Sequence, residues 1–189
     1  MGVDKAFLPV GGRTLLDQAL VVLASVCDRL TIVGDPMKFA QYESAEYGGR
    51  KVGPVVGDIF PECGPLAGIH TALVHSSAEL NLMLAVDMPF ISAALLSFLF
   101  AMAEQTEAVV TVPRVGKGLQ PLCAVYRTDF RGAAEQALRA GNYKIEAAFS
   151  TVSIRVIADS ELTAAGFSEQ NFFNLNTPQD RIAAEGRRP

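Results

Sequence analysis

Apolar runs of strand length alternate along this chain with longer stretches whose apolar residues recur at helical spacing, and that alternation restricts it to an α/β architecture. Leu15, Leu16, Ala19, Leu20, Val22, Leu23 and Val26 return every three or four residues, so 14–27 reads as an amphipathic helix. By the same reasoning helices are expected over 36–47, 66–75, 92–105, 128–140 and 178–185. Strands are expected over 29–34, 52–56, 81–86, 108–112, 122–126 and 152–157, with a turn at Gly116-Lys117-Gly118 between two of them. The fold implied is a three-layer α/β/α sandwich around a mostly parallel, twisted sheet. No repeat, low-complexity tract or linker divides the sequence, and 189 residues suffice for one core, so a single domain over 1–189 is expected. A doubly wound sheet normally opens with a hydrophobic strand running into a glycine-rich turn, whereas here the first apolar stretch is only Ala6 to Val10.

Charge and cysteine usage narrow the function. A net charge of −4 and a pI near 5.2 argue against a broad surface for nucleic acid or anionic lipid, which needs clustered Lys and Arg. A nucleotide stays compatible, because a few donors and a metal ion can hold it. Cys27, Cys63 and Cys123 are an odd number, widely spaced and without a CxxC pair, which fits a reducing compartment and small core or site-lining roles. The longest nearly apolar run, 91–103, is too short to span a bilayer, and a cytoplasmic location is expected.

Asp87 is the most informative chemical position. The run Leu82-Met83-Leu84-Ala85-Val86 is apolar enough to be buried on both faces, which puts Asp87 at a strand's carboxyl end, where open α/β sheets bind ligands. A carboxylate there can hold Mg²⁺ against phosphate oxygens. It can equally well satisfy backbone donors in the turn before the helix that starts near Ser92. Gly64-Pro65-Leu66-Ala67-Gly68 brackets a helix start with two glycines, which lets an anion or an electron-rich base edge approach backbone N–H groups. An ordinary strand-to-helix loop with proline in the first turn explains the same residues. Asp58, just upstream, could accept hydrogen bonds from amino and imino groups.

Near the start, Lys5 and Arg13 flank a loop containing Gly2, Gly11 and Gly12. Lys5 is the kind of point charge that neutralises a phosphate oxygen, although lone Lys and Arg are ordinarily solvated. Asn174 and Asn176 alternate along an extended segment and so share a face suited to a flat heterocycle, with Thr177 and Pro178 opening a helix behind them. Gln120, ahead of Pro121, offers a third amide or a turn residue. His70 and His75 lie five apart and do not form the metal-binding i, i+4 pair, and no Ser/His/Asp or Cys/His arrangement can be assembled.

Taken in order, Gly2-Val3-Asp4-Lys5-Ala6, Asp58, Gly64 to Gly68, Asp87-Met88-Pro89-Phe90, Gln120-Pro121-Leu122 and Phe173-Asn174-Leu175-Asn176-Thr177-Pro178 resemble the molybdenum cofactor guanylyltransferases, over 1–182. The resemblance implies a Rossmann-like nucleotidyltransferase fold and transfer of GMP from GTP to the terminal phosphate of molybdopterin. It implies that Gly2, Lys5, Asp58, Gly64, Pro65, Leu66, Gly68 and Asp87 face the nucleotide, with Lys5 and Asp87 catalytic and Asp87 on Mg²⁺. Gln120, Asn174 and Asn176 would face the pterin. Molybdoenzymes or their chaperones would be further partners, with no nucleic acid and no membrane. In that family a hydrophobic strand and a Leu-Ala-Gly-Gly type loop precede the segment that here starts at Met1-Gly2, so the gene product is expected to start upstream. A cytidylyltransferase, a sugar-phosphate nucleotidyltransferase and a degenerate, non-catalytic nucleotide-binding protein share parts of the pattern.

Overall fold

The structure is a computed structural model that describes residues 4–176 and Asp180. A 3₁₀ turn, Lys5–Phe7, leads into the short hairpin β1 (Pro9–Val10) and β2 (Arg13–Thr14) and then α1 (Leu15–Ala24). There follow β3 (Leu30–Val33), α2 (Pro36–Phe39), β4 (Glu46–Tyr47), β5 (Arg50–Val56), α3 (Pro65–His75), β6 (Leu80–Leu84) and α4 (Ala93–Glu104). The second half contains β7 (Val110–Val115), β8 (Gly118–Leu119), β9 (Cys123–Arg127), α5 (Phe130–Arg139), α6 (Ile145–Phe149), β10 (Ile154–Ile157) and α7 (Asp159–Ala164).

The layers follow from side-chain alternation. In β9, Ala124 and Tyr126 point into a core built with Leu66, Ile69 and Leu73 of α3, Phe130 of α5 and Phe149 of α6. Cys123 and Val125 point the other way, against Leu95, Leu96 and Leu99 of α4 and Leu162 of α7. Both faces of this strand are therefore covered, as a three-layer sandwich requires. A third core joins α1 to β3 and β5 through Leu16, Leu20, Leu30, Ile32 and Val52.

Parallel and antiparallel pairs are mixed. β3 runs parallel to β5 and β10 parallel to β7, whereas β9 lies antiparallel between β7 and β6, because it returns from the β7–β8 turn directly beside its predecessor. The strands form two larger sheets, ordered β3-β5-β4 and β10-β7-β9-β6, so β3 and β6 are end strands. Between them lies a cleft of about 910 Å³. The full burial expected for the run 82–86 is not found: each residue of Leu80–Leu84 is only half-buried, because β6 lines this cleft.

Other expectations shift locally. The helix expected over 36–47 stops at Phe39. A 3₁₀ turn, Ala40–Tyr42, follows it, Ser44 turns the chain at a φ of 63°, and β4 then pairs with β5. Gly2, Thr177, Pro178 and, apart from Asp180, the helix expected over 178–185 lie outside the described residues. Among the described residues no helix is long and apolar enough to cross a membrane.

Candidate functional site

β6 carries the chain to the rim of the sheet, where the Ala85 amide donates to the Leu122 carbonyl at 2.7 Å and Asp87 follows two residues later. The Asp87 carbonyl accepts the Leu175 amide at 2.8 Å, which ties the 174–176 segment to the strand end. Leu175 is buried against Val10 and Leu15. Its neighbours Asn174, half-buried, and Asn176, exposed, are thereby turned outward together. Phe173 packs on Phe90 with ring centroids 6.1 Å apart, fixing the same segment from the other side.

Lys5 arrives at this rim from the first turn of the described chain. Its Nζ donates to Asp87 Oδ2 at 3.2 Å and to Asn176 Oδ1 at 3.0 Å. The ion pair is open to water, with 42% of the Lys5 side chain and 20% of the Asp87 side chain exposed, so it costs little to separate when an anionic ligand enters. Three segments remote in sequence are thus brought to one point.

The turn that carries Lys5 is held on both flanks. Asp4 caps it by accepting the Ala6 amide at 2.9 Å, and Lys38 of α2 pairs with the other Asp4 oxygen. Partial burial pulls the Asp4 carboxyl upward, but the Lys38 ammonium and the Ala6 amide together hold it below its ordinary value. On the far side Phe7 stacks on Phe39 at 5.5 Å and on Tyr42 at 6.4 Å. Asp4 was read in sequence only as part of the Gly2 to Ala6 motif, with no role of its own, and Lys38 was not singled out. Only the folding of α2 beside the turn joins them, although Asp35, which caps α2 by accepting from Met37 and Lys38, marks that helix start.

The second cluster is the α3 start. Gly64 has φ 71° and ψ −163°, a conformation essentially confined to glycine, and Pro65 then occupies the first helical position. Asp58 stands over this turn: a Cβ on Gly68 would lie 3.8 Å from Asp58 Oδ1. The Ile59 amide donates to Thr71 Oγ1 at 3.0 Å, clamping the stretch after β5 onto the helix. Asp58 is exposed overall, and partial desolvation of its carboxyl pushes it above its ordinary value. Leu66 is fully buried in the core, so it anchors the helix and its side chain faces no ligand.

Gln120 sits in the turn from β8 to β9, where its amide donates to Pro113 and its carbonyl accepts from Cys123. Tyr126 Oη donates to the Pro121 carbonyl at 2.7 Å and braces that turn. Gln120 is half-buried beside Leu122, the residue that receives the Ala85 amide, but its backbone bonds do not tie it to Lys5, Asp87 or Asn176. The end of β6 at Leu84, Leu122 and the α3 residues Pro65 and Gly68 all border the same cleft.

The donor set also limits what metal could be held. Among the described residues no three His, Cys, Asp or Glu side chains gather, so an all-protein cage is not available. A single carboxylate at a phosphate site fits Mg²⁺, which keeps waters and takes one or two carboxylates beside substrate oxygens. His70 is buried at 2% exposure against Phe60, and the exposed His75 bonds the Thr71 carbonyl through Nδ1 at 2.9 Å.

Residues 1–154 match the family model of the MobA-like NTP transferase domain. The chain is 37% identical over 186 residues to a probable molybdenum cofactor guanylyltransferase of Pelotomaculum thermopropionicum, covering 97% of this chain and 85% of that one. It is 30% identical to the molybdenum cofactor guanylyltransferase of Desulfosudis oleivorans, over 97% of this chain and 87% of the relative. Among solved structures, molybdopterin-guanine dinucleotide biosynthesis protein A from Archaeoglobus fulgidus superposes with a TM-score of 0.81 at 25% identity, covering 98% and 90% of the two chains. A 2-C-methyl-D-erythritol 4-phosphate cytidylyltransferase from Thermus thermophilus shares the fold, with a TM-score of 0.67 at 22% identity and coverage of 96% and 92%.

Proposed function

This chain belongs to the MobA-like NTP transferase family, and from that premise we propose that it transfers GMP from GTP to the terminal phosphate of molybdopterin, releasing pyrophosphate. Its activity is that of a nucleotidyltransferase, a molybdenum cofactor guanylyltransferase. One observation carries the mechanistic reading: the Lys5 ammonium lies between the Asp87 carboxylate and the Asn176 amide oxygen at the end of β6.

In this reading an oxygen of the molybdopterin phosphate attacks the α-phosphorus of GTP. The bond from that phosphorus to the bridging oxygen breaks, and its electron pair leaves with pyrophosphate. A phosphate monoester carries most of its second negative charge near neutral pH, so no general base has to remove a proton. The residues therefore position two polyanions and neutralise the charge that builds between them. Lys5 exchanges its carboxylate partner for a phosphate oxygen, since its pairing with Asp87 is solvent-exposed and weak. Asp87 would hold Mg²⁺, which supplies further neutralisation of the phosphate oxygens. The α3 start and Asp58 would bind the guanine or ribose, and Asn174, Asn176 and Gln120 the pterin.

The test measures pyrophosphate release and guanine dinucleotide formation with molybdopterin, with GTP and CTP in competition. GMP transfer lost on Asp87→Asn, with the fold retained, is the expected result. Preferential use of CTP, or turnover by Asp87→Asn at the unmodified rate, would overturn the reading.

A further inference from the structure

α2 is a single turn that touches the neighbours of both Lys5 and Asp58, and its four side chains show which way each sector of it faces. Successive side chains on a helix are about 100° apart, so Pro36, Met37, Lys38 and Phe39 sweep once around the axis in that order. Pro36 faces the stretch that leads from β5 to Asp58: a Cβ on Gly57 would lie 3.6 Å from Pro36 Cδ. Lys38 faces the Lys5 turn, where it pairs with Asp4. Phe39 is turned inward, stacked on Phe7 and so close to Gly34 that a Cβ there would meet its ring at 2.8 Å. Met37 falls in the remaining sector, between the contact to Gly57 and the contact to Asp4, and it is 91% exposed.

β3 and β5 fix that placement. They run parallel, and the Gly34 amide donates to the Val56 carbonyl at 2.9 Å, so the start of α2 and the stretch from Gly57 to Asp58 leave the rim side by side. Asp35 then accepts the Met37 amide at 2.9 Å and sets the first turn of the helix. A side chain as exposed as Met37 contributes almost nothing to the core, whereas Met83 and Met102 are half-buried and Met88 is buried. Ile59, 45% exposed, adds a second apolar surface next to Asp58. Exposed apolar side chains standing singly need no explanation, but here two stand about one carboxylate that receives no hydrogen bond among the described residues. Such a set suits a flat heterocycle with donors on its rim: the carboxylate takes the edge, and an unbranched, polarisable thioether takes the face.

Resting on the reading that Asp58 and the α3 start hold the guanine of GTP, we propose that Met37 lies on the face of that base and adds to affinity through it. The contact is with the ring face, so it strengthens the binding of a purine without distinguishing the groups on its edge, which is left to Asp58 and the α3 start. α2 thereby serves both ends of the nucleotide: Lys38 steadies the turn that carries Lys5, and Met37 covers the base.

The experiment uses the full chain, isotope-labelled at the methionine methyl groups, with the Met37 signal identified by its loss in Met37→Leu. The probes are GTP, ITP, which lacks the exocyclic amino group, and inorganic triphosphate, which lacks a base. The Met37 methyl resonance is expected to move upfield with GTP and ITP, as a group over an aromatic ring does, and not with inorganic triphosphate. In calorimetric titrations Met37→Ala should raise the Kd of GTP and of ITP by the same factor, about two- to tenfold, with Met37→Leu within about twofold of the parent. The Kd of triphosphate and Tm should not change, because the side chain touches so little of the fold. Three results would overturn the proposal and leave the guanylyltransferase reading standing: Met37→Ala binding GTP as tightly as the parent, a loss shared by triphosphate or matched by a fall in Tm, or a Met37 methyl that ignores GTP in a parent that binds it. A parent that binds no guanine nucleotide would overturn that reading, and the proposal with it.

Discussion

Replacing Lys5 by methionine separates its place in the fold from its place in the chemistry. Methionine keeps most of the apolar stem and removes the charge that lies 3.2 Å from Asp87. At that separation the attraction is about 1.3 kcal/mol at the dielectric constant of water and about 5 kcal/mol at an effective value of about 20. With 42% of the Lys5 side chain exposed the lower figure governs, and the entropy of holding a long side chain reduces it further, to about 0–1 kcal/mol. In a domain of this size that moves Tm by no more than about 2–4 °C. If the ammonium neutralises charge developing on the transferred phosphate, its removal costs turnover on the order of 10²–10³-fold, as the loss of one preorganised donor does elsewhere. Initial rates of pyrophosphate release and a calorimetric melt on the same preparation give both numbers. A Tm drop beyond about 10 °C with proportionate loss of activity would mean that Lys5 holds the structure together. Turnover within about twofold of the parent would remove it from catalysis.

Gly64→Ala forces a side chain into φ 71°, ψ −163°, so it should lower stability by about 1–3 kcal/mol in urea unfolding and weaken nucleotide binding, although no atom crowds the new Cβ. His70 is buried, and desolvation lowers its pKa from 6.5 despite the opposing charge of Glu135. Below its ordinary value the unfolded chain therefore takes up a proton that the folded chain refuses. Stability should fall as pH drops through 6.5 toward the folded value, by at most about 1.4 kcal/mol per pH unit, and His70→Phe should flatten that slope. Equal slopes for parent and variant between pH 7.5 and 5.5 would rule this out. Lys38→Met should reduce kcat/KM about tenfold by loosening the Lys5 turn, with Lys38→Arg restoring most of it. The double variant with Asp4→Asn should be no worse than either single one. Losses that multiply would show that Lys38 acts on the substrate directly.

Elements with a strong period were legible because their burial pattern is written into neighbouring residues. The helix expected over 14–27 is found as Leu15–Ala24, and that over 92–105 as Ala93–Glu104. α6 and α7, at five and six residues, are too short to display a period and were not anticipated. The end of the helix expected over 36–47 depended on Ser44 adopting a positive φ and on Val52 exchanging hydrogen bonds with Ser44 and Ala45, a pairing local propensity does not encode. Composition also overstated the burial of 82–86, since apolarity records what a strand can bury against and not whether a neighbour stands there.

The site shows the same division between local chemistry and remote assembly. Asp87, Gly64 and the asparagine pair were legible because each follows or opens a regular element whose end α/β sheets commonly use for ligands. The meeting of Asp87 and Asn176 with Lys5 was not, because it depends on two contacts that only the fold supplies: the Leu175 amide on the Asp87 carbonyl and the Asp4–Lys38 pair. The first sets where the asparagines face, and the second sets where the ammonium points. Neither touches the reacting atoms in the proposed chemistry. A transfer that relies on charge placement and not on proton removal is sensitive to such supports, because an ammonium displaced by an ångström in a solvated rim loses much of its hold on a phosphate oxygen. Catalysis here should therefore fail through Lys38 before it fails through loss of the core. Substitution of Lys38 should lower kcat at constant Tm, substitution of the buried Leu175 should lower both, and trimming Tyr126 or Phe130 should lower Tm first and leave the kcat of the folded fraction intact.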